Sequence, residues 1–375
     1  MKKTNLEVSS GSKYKRRDFL KKSAIGAAGG VAALSIASPA IHAQTKVRWR
    51  LASSFPKSLD TIFGAADVFA DAVNQASNGN FKISIFAGGE LMKPFDVLDG
   101  VQDETVECAH TAAYYYIGKD ETFALDCTIP FGLNARQRNA WMYDGNGMKL
   151  LREFYSNYKM LNFPMGNTGV QMGGWFKRAV RTEKDFKGLK MRIAGFAGRI
   201  MQGLGVVPQN LPGGEIYQAL EKGTIDATEW VGPYDDKKLG FNKVAGYYLY
   251  PAWWEGGPQL SLLVGKKAWN ALPSSYKAMV NSAAVHAHTD MMAKYDSRNP
   301  RALKELIATG TKLLPMPKQV MINAFEISQG LYADLSKKNS NWRKIHADWE
   351  KFRKDQVDWW KVAEKNYQDF MSYQL

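Results

Sequence analysis

The first part of the chain alternates between two periods of hydrophobic residues. Strict alternation of apolar and polar side chains over Val47–Ser53 and Phe81–Phe86 predicts two β-strands, and a less regular third strand is expected over 106–113. Apolar residues recur at helical spacing over 59–76 and over about 94–103, so helices are expected between these strands. Short strands that alternate with helices favour a mostly parallel sheet and an α/β fold.

The same order of elements is expected again further along the chain. Strand patterns occupy 189–194 and 224–228, and the end of a helix is predicted at 216–222. Residues 101–109 and 220–228 share a helix end, a threonine, a β-branched residue and an acid in the same order. This similarity predicts two α/β lobes on one plan; chance similarity between two helix-to-strand turns is the alternative. A ligand of such a protein is expected between the lobes, at the carboxyl ends of the strands.

The last hundred residues have helical patterns. One long helix is predicted from residue 266 to Ile307. The C-terminal stretch has one apolar stripe among charged residues, which is typical of an amphipathic helix. The stripe consists of Trp342, Ile345, Trp349, Phe352, Trp359, Ala363, Tyr367 and Phe370. It either docks on its own domain or contacts a partner subunit, and both interpretations stay open.

Composition and charge exclude several classes of protein. The 375 residues are 45% hydrophobic and 23% charged, so the chain is globular rather than disordered or collagen-like. Residues 1–43 hold eight Lys and Arg against two acids, which leaves about +8 of the formal +14 charge on the remainder. That surplus suits an anionic ligand. The sequence has no dense basic stripe with interleaved aromatic residues, so nucleic-acid binding is excluded.

The N-terminal segment has the pattern of an export signal. Basic residues precede an apolar, Gly- and Ala-rich run at 24–40, and a small-residue cleavage site follows. The pair Arg16-Arg17, followed by Phe19-Leu20-Lys21, resembles a twin-arginine signal. We therefore expect a twin-arginine-type signal peptide over 1–43, export to the periplasm and a mature chain that begins near Gln44. A retained N-terminal anchor is the alternative.

Motifs of the common enzyme classes are missing from the sequence. It contains no GxGxxG or GxxxxGK[ST] phosphate loop and no GxSxG nucleophile elbow. His286 and His288 lie two positions apart in a predicted helix and face different ways, so they are poor joint metal ligands. His110 either touches a ligand or is a hydrogen-bonded structural residue. Cys108 and Cys127 exclude a thiolate zinc cluster and leave a disulfide open, because sequence separation does not fix their distance. These absences argue against an enzyme.

Four segments are unusual for plain structure. They are 166–176, 190–194, 227–235 and 251–258, all rich in Gly, Trp or buried-type polar residues. Arg192 lies inside an apolar strand pattern, and Glu229 and Glu255 are single carboxylates beside Trp and Gly. An arginine in such a place can bind a carboxylate through two parallel hydrogen bonds. Each feature alone also has a structural explanation, in which Arg192 pairs with an acid and the tryptophans fill the core.

Over roughly residues 45–330, the sequence resembles a known family, the extracytoplasmic solute-binding proteins of tripartite ATP-independent periplasmic (TRAP) transporters, called DctP-like. The resemblance is carried by Ser53-Ser54-Phe55-Pro56, Gly88-Gly89-Glu90-Leu91, Gly188-Leu189-Lys190-Met191-Arg192, Gly223-Thr224-Ile225-Asp226 and Lys266-Lys267-Ala268-Trp269-Asn270-Ala271-Leu272-Pro273. The pattern of Gln171, Arg192, Glu229-Trp230 and Glu255 is similar to the subgroup that binds 2-oxo acids such as pyruvate with a metal ion.

The resemblance implies a role for each residue of this pattern. Arg192 would hold the ligand carboxylate. Gln171, Glu229 and Glu255 would give side-chain oxygens to a cation, and Trp230 its backbone carbonyl; Gln171 and Glu229 would thereby also bind the substrate. Two glutamates and a carboxylate ligand exceed the charge of one arginine, and a dry crevice cannot hold that excess uncompensated. An all-oxygen set suits a hard cation, Na⁺ or Ca²⁺.

Three aromatic residues are weaker candidates for the pocket. Tyr115, in a run of three tyrosines, is expected to make a polar contact with the ligand. Trp254 and Phe196 either wall the pocket or pack in the core.

The resemblance also implies the architecture. It is a two-lobed periplasmic-binding-protein fold of the α/β class, with mixed sheets, an interlobe cleft and long C-terminal helices. Lobe I is expected over 44–169 and 258–297, lobe II over 170–257 and 298–330, and a C-terminal helical extension over 331–375. Such a protein captures a small carboxylate by hinge closure, makes no bond, and delivers its ligand to TRAP membrane subunits. A homodimer through the C-terminal helices is expected.

Other ligands and classes remain open at this point. Within the family, the ligand could be a C4-dicarboxylate, a sugar acid or a 2-hydroxy acid such as lactate; a dicarboxylate would need a second cation near Arg192, and none stands out. An exported glycan-binding protein would use Trp253-Trp254 as a stacking platform. An exported enzyme with an unrecognised site is the third alternative.

Overall fold

The computed structural model describes residues 45–374. The expected signal peptide over 1–43 lies outside the described residues and stays a prediction. The strands are β1 (Val47–Ser53), β2 (Phe81–Phe86), β3 (Cys108–Thr111), β4 (Met160–Asn167), β5 (Gly174–Phe176), β6 (Lys190–Arg192), β7 (Val207–Gln209), β8 (Ala227–Thr228), β9 (Tyr247–Tyr250), β10 (Gln259–Gly265) and β11 (Lys312–Pro315).

Helices connect and cover these strands. They are α1 (Gly64–Ala76), α2 (Val97–Gln102), α3 (Ala124–Cys127), α4 (Ala135–Tyr143), α5 (Gly147–Ser156), α6 (Gly195–Gly203), α7 (Ile216–Glu221), α8 (Pro233–Lys238), α9 (Lys266–Asn270), α10 (Ser274–Ala308), α11 (Lys318–Lys338), α12 (Ser340–Val362) and α13 (Glu364–Gln374). Among the described residues, no helix is long and apolar enough to cross a membrane.

The first sheet has the order β2-β1-β3-β10-β4. β1 pairs in parallel with β2 and β3, as the alternating helices require. β10 inserts between β3 and β4 and runs antiparallel to both. Every residue of β10 is buried, which is typical of a central strand covered on both faces.

The second sheet has the order β11-β9-β5-β8-β6-β7. Its β5 runs antiparallel to β8 and β9, and its other pairs are parallel. Each sheet therefore contains one antiparallel strand, and in each sheet that strand follows a crossing of the chain from the other sheet. The mixed sheets implied by the family resemblance are confirmed. The mostly parallel sheet expected from the pattern is also found, since all strands of each sheet except β10 or β5 run in one direction.

The chain crosses between the sheets three times. It leaves the first sheet between β4 and β5, returns between β9 and β10, and passes through α10 to β11. The two segments predicted to share one plan correspond, since α2 leads into β3 and α7 leads into β8. The lobe boundaries at 169, 257, 297 and 330 stay predictions; α10 and α11 run without interruption through the last two.

The structure corrects the long helix expected from residue 266 and answers the open question of a disulfide. The single helix expected from 266 to Ile307 is broken into α9 and α10, because Pro273 cannot donate a backbone hydrogen bond and disfavours a helical residue before it. Cys108 and Cys127 are both buried and free, so the disulfide that the sequence left undecided is not formed.

A buried carboxylate connects two strands of the first sheet with a helix that covers it. Asp126 on α3 accepts hydrogen bonds from Tyr155 Oη (2.7 Å), Asn162 Nδ2 (3.0 Å), Gln259 Nε2 (3.0 Å) and Ser261 Oγ (2.8 Å). Because burying a polar group without partners is costly, these four bonds favour one arrangement of α5, β4 and β10 around α3.

The C-terminal stripe divides into a docked half and an exposed half. Trp342, Ile345 and Trp349 on α12 are buried, and Trp342 packs edge-on against Phe196 of α6 with ring centroids 5.4 Å apart. Further along, the apolar side chains are 59–87% exposed: Trp359, Val362, Tyr367, Phe370 and Tyr373. The first half therefore docks on its own chain, and the second half has an apolar surface open to a partner.

Candidate functional site

The unusual segments of the sequence meet at one cavity of about 20 Å³. Its polar wall consists of Tyr114, Tyr115, Thr168, Gln171 and Arg192. These residues follow the carboxyl ends of β3, β4 and β6, where the ligand of an α/β protein is expected. Its apolar wall consists of Phe55, Ile62, Trp230, Val231, Pro258 and Leu260, with Ala112 and Cys127.

Arg192 and Glu229 lie side by side because their strands are neighbours. β6 and β8 pair in parallel with Arg192 opposite Thr228, so the next residue, Glu229, leaves the sheet beside the arginine. Arg192 is 1% exposed; its Nε donates to the Leu211 carbonyl (3.0 Å) and its Nη1 to the Glu229 carbonyl (3.2 Å). Nη1 also forms an ion pair with Glu229 Oε1. The remaining nitrogen, Nη2, has no hydrogen-bond partner in the described chain.

A glycine allows this close packing. Gly174 on β5 has φ +90°, and a Cβ at its position would meet the Thr228 carbonyl oxygen at 2.3 Å. Only glycine fits there without moving the backbone that carries Glu229. The glycine-rich segment 166–176 therefore has a structural role next to the site.

Gln171 and Glu255 lie in the first two of the three crossings between the sheets. The Gln171 amide donates to the Glu255 carbonyl (3.1 Å), and the Ala252 amide donates to the Gln171 carbonyl (3.1 Å). Gln171 Nε2 donates to Thr168 Oγ1 (3.1 Å), which orients its Oε1 away from Thr168. The crossings are thus tied together at the residues that were predicted to bind a cation.

The charged groups of the site perturb one another. Burial raises the pKa of Glu255 well above its usual range; Glu229 raises it further, while Arg192 and a hydrogen bond from Tyr114 lower it. Burial also raises the pKa of Glu229, and Arg192 opposes that rise. Burial alone would lower the pKa of Arg192, but Glu229 and the tyrosine pair outweigh it, so this pKa is raised. A buried carboxylate pair with one arginine has an excess of negative charge that a cation would relieve.

The oxygens predicted to bind a cation fit that role. Gln171 Oε1, Glu229 Oε2 and Glu255 Oε2 are all buried and have no hydrogen-bond partner among the described residues. Three such oxygens from residues that interact with or lie beside Arg192 suit a hard cation with oxygen ligands. Within residues 45–374, no group of three His, Cys, Asp or Glu side chains is arranged to hold a metal ion, so an amide and backbone carbonyls would complete such a set.

Tyr115 lies where it was expected, on the cavity wall. Its ring packs against Phe95 (centroids 4.7 Å apart) and edge-on against Tyr114 (5.1 Å). Burial raises the pKa of Tyr115, so the hydroxyl stays protonated and can donate a hydrogen bond. Its neighbour Tyr114, which sequence reasoning missed, lines the same wall and also interacts with Glu255.

Trp254 and Phe196 do not line the cavity. Trp254 is 1% exposed and belongs to the core of the second sheet, while Phe196 packs against Tyr332 and Trp342. The core interpretation of both residues therefore holds. Trp253 is also buried, so the pair at 253–254 cannot serve as an exposed stacking platform for a glycan.

The structure shows whether the histidines form hydrogen bonds or line the cavity. His110 is fully buried, packs edge-on against Phe55, and does not line the cavity. Neither of its ring nitrogens has a hydrogen-bond partner in the described chain, so the expected hydrogen-bonded histidine is wrong, and burial lowers its pKa to about 3. His288 does form hydrogen bonds, with Asn139 Oδ1 (2.8 Å) and the Gly166 amide (3.2 Å).

Part of the apolar wall was not predicted from the sequence. Phe55, Ile62 and Leu260 look like ordinary core residues in the sequence, and only Phe55 belongs to a segment that carried the family resemblance. Thr168, which orients Gln171, was missed although it lies in the unusual segment 166–176.

A polar cluster lies next to the cavity, where the segment after β1 meets α8 and α10. Asp60 accepts hydrogen bonds from Tyr234 Oη (3.1 Å) and Arg298 Nη1 (3.0 Å) and forms an ion pair with Lys238. Since Ile62 and Val231 line the cavity, this cluster joins two of its walls at the surface.

Comparisons with known proteins identify the family of this chain. Residues 52–339 match the family described as bacterial extracellular solute-binding protein, family 7. The chain is 49% identical over 326 residues to a monocarboxylate 2-oxoacid-binding periplasmic protein of Nostoc sp., covering 87% of this chain and 89% of that protein.

Solved structures show the same fold. A TRAP transporter solute-binding protein from Bordetella bronchiseptica, a mixed-occupancy dimer with copurified calcium and picolinate, superposes with a TM-score of 0.87 at 47% identity, covering 88% of this chain and 98% of that one. A TRAP periplasmic solute-binding protein from Pseudoalteromonas atlantica with bound sodium and pyruvate gives 0.83 at 38% identity, covering 87% and 99%. This protein therefore belongs to the DctP family of TRAP transporter solute-binding proteins.

Proposed function

We propose that this protein binds a small 2-oxo monocarboxylate of the pyruvate type together with Na⁺ or Ca²⁺ and delivers it to TRAP membrane subunits. The observation that carries the proposal is a set of buried side-chain atoms without hydrogen-bond partners among the described residues. Arg192 Nη2 and Gln171 Oε1 belong to residues on the cavity wall, and the Oε2 atoms of Glu229 and Glu255 belong to carboxyl groups that interact with Arg192 without lining the cavity. These are one donor for a carboxylate and three acceptors for a cation. The Nostoc relative is described as binding monocarboxylate 2-oxo acids, the Pseudoalteromonas structure holds sodium and pyruvate, and the Bordetella structure holds calcium and another carboxylate, picolinate.

Arg192 and Glu229 each use one side-chain atom for their ion pair and keep a second atom free for the ligand or the cation. Arg192 uses Nη1 for Glu229 and leaves Nη2 for the ligand carboxylate. Glu229 uses Oε1 for Arg192 and leaves Oε2 for the cation. The bound cation would supply positive charge to the keto oxygen and carboxylate of the ligand, and the charge of the site would come close to zero.

The walls of the cavity favour a monocarboxylate. Among the described residues, Arg192 is the only charged side chain on the wall. A second carboxylate of a dicarboxylic ligand would face Phe55, Ile62 or Leu260 without a cation to pair with, and burying such a charge is costly. An alkyl group, in contrast, gains from contact with this surface.

The remaining parts of the proposal concern the location, the conformational change and the oligomeric state of the protein. It is exported by the signal peptide over 1–43, acts in the periplasm without enzymatic turnover, and closes as a hinge between lobes I and II. It forms a homodimer through the C-terminal helices; the exposed apolar face of α13, with Tyr367, Phe370 and Tyr373, supports this.

Isothermal titration calorimetry tests the proposal. Pyruvate is titrated into chelator-treated protein alone, with Na⁺ and with Ca²⁺, and heat is expected only when a cation is present. Arg192→Lys, which keeps the charge but loses the planar fork, is expected to weaken pyruvate binding roughly 10- to 100-fold. Arg199→Lys, an exposed arginine outside the cavity, is the matched control. Absence of pyruvate binding in every salt would overturn the ligand class and leave family membership intact.

A further inference from the structure

A buried aspartate behind the site holds the backbone that carries Trp230. Asp236 is 1% exposed and lies in the first turn of α8. Its Oδ1 accepts hydrogen bonds from the amides of Val231 (3.3 Å) and Gly232 (3.2 Å). Its Oδ2 accepts from Trp175 Nε1 (2.9 Å) on β5 and from Tyr248 Oη (2.6 Å) on β9.

The bond to Val231 acts on the Trp230 carbonyl through one peptide group. A trans peptide is planar, with its N–H and C=O on opposite sides. The N–H of Val231 and the C=O of Trp230 belong to the same peptide, so an amide directed at Asp236 directs the carbonyl away from it. A carboxylate on the N–H also polarises the peptide and makes its carbonyl oxygen a better acceptor.

Backbone hydrogen bonds on either side of Trp230 also restrict the conformation of residues 229–231. The Met172 amide donates to the Val231 carbonyl (3.1 Å), and the Glu229 amide donates to the Arg192 carbonyl (3.2 Å). Trp175 and Tyr248, which hold the far oxygen of Asp236, stack with ring centroids 4.1 Å apart. Asp236 therefore connects the Trp230–Val231 peptide to a rigid pair of strands.

We propose that Asp236 is a positioning residue for cation binding, because it orients and polarises the Trp230 carbonyl. The inference rests on the proposed function, in which that carbonyl is a cation ligand. It goes beyond helix capping, since a cap would need only the bond to Gly232, at the start of α8. Partners behind a metal ligand commonly change metal affinity 10- to 100-fold.

The test compares Asp236→Asn with a matched control. Burial raises the pKa of Asp236 to about 7, although the hydrogen bonds from Tyr248 and Trp175 lower it, so the measurements are made at pH 8, where most of the group is a carboxylate. Asparagine keeps the shape but loses the charge, and with one acceptor oxygen it cannot serve both the amides and the Trp175 indole. Tyr248→Phe removes a bond to the same carboxylate and leaves both amide bonds intact. For each protein, the Kd for Ca²⁺ is measured by calorimetry without carboxylate, the Kd for pyruvate at saturating Ca²⁺, and the Tm in chelator.

A positioning role predicts a specific pattern. Asp236→Asn raises the Kd for Ca²⁺ about tenfold or more, while its Kd for pyruvate at saturating Ca²⁺ changes much less, and Tyr248→Phe changes neither strongly. If Asp236→Asn does not fold, Asp236→Glu, which displaces the carboxylate by one methylene, is expected to lower Ca²⁺ affinity in the same selective way.

Two results would overturn the inference, and they differ from each other. If Asp236→Asn and Tyr248→Phe lower the Tm equally and leave the Kd for Ca²⁺ unchanged, Asp236 is only structural, and the proposed function stands. If the wild-type protein binds pyruvate equally well in chelator, the proposed function fails, and the inference fails with it.

Discussion

Asp235→Asn is expected to become more stabilising, relative to the wild type, as the pH rises from about 4 to 7. Asp235 is fully buried on α8; its Oδ2 accepts a hydrogen bond from Tyr295 (2.7 Å), and its Oδ1 has no partner among the described residues. Burial, with a contribution from Asp60, raises the pKa of Asp235 to about 7 from its usual 3.8, although Tyr295, Lys238 and the Trp230 side chain lower it. Asparagine can keep an acceptor oxygen towards Tyr295 and has no proton to release in this pH range, so it removes the titration of this position.

The magnitude follows from proton linkage. Between pH 4 and 7, the folded wild type holds a proton on Asp235 that the unfolded chain has released, so its free energy of unfolding falls as the pH rises. A pKa difference of about three corresponds to about 4 kcal/mol, and the contribution is fully lost only above the folded pKa. The asparagine variant has no such proton at this position. The difference between variant and wild type should therefore grow by up to about 4 kcal/mol across this window.

Urea denaturation at a series of pH values between 4 and 8 measures this difference. Curves for Asp235→Asn and wild type that run parallel across the window would refute the reasoning, since Asp235 would then be as readily ionised in the folded as in the unfolded protein.

Three further predictions concern the site and the surface. Glu255→Gln keeps an oxygen but removes a charge, so calorimetry should show Ca²⁺ affinity lowered roughly tenfold or more; unchanged affinity would contradict a role in the cation site. Asp60→Asn loses the ion pair with Lys238 and should speed pyruvate release roughly two- to fivefold in stopped-flow measurements at low salt, with a smaller effect at high salt. Replacing Trp359 and Phe370 by Ser should convert the proposed dimer through the C-terminal helices to a monomer in sedimentation equilibrium. A wild-type protein that is already monomeric would contradict the proposed dimer.

The sequence predicts the local part of the fold well. Val47–Ser53 and Phe81–Phe86 are strands with the predicted bounds, because alternation on a half-buried surface is a strong local signal. Arg192 and Glu229 stand out for a related reason, since charged residues in apolar surroundings rarely have no partner or function. The structure places Arg192 beside Glu229 and on the same cavity wall as Gln171.

Long-range pairing accounts for what the sequence could not show. Nothing in the apolar run of β10 indicates that it inserts between β3 and β4, because a buried strand has no alternating pattern. The apolar wall of the cavity is equally hidden, as Ile62 and Leu260 have the same character as core residues. Asp236 was missed because its four partners come from three separate segments of the chain.

The position of β10 also sets the order in which the protein can fold during synthesis. β3 and β4 are made early, but the strand that joins them is complete only at Gly265, after the whole second stretch from β5 to β9. Until then, both strands have an unpaired edge, and such edges favour association with other chains. The N-terminal part of the chain therefore cannot fold alone as a finished unit, and a nascent or truncated chain that ends before β10 should depend on chaperones and aggregate without them.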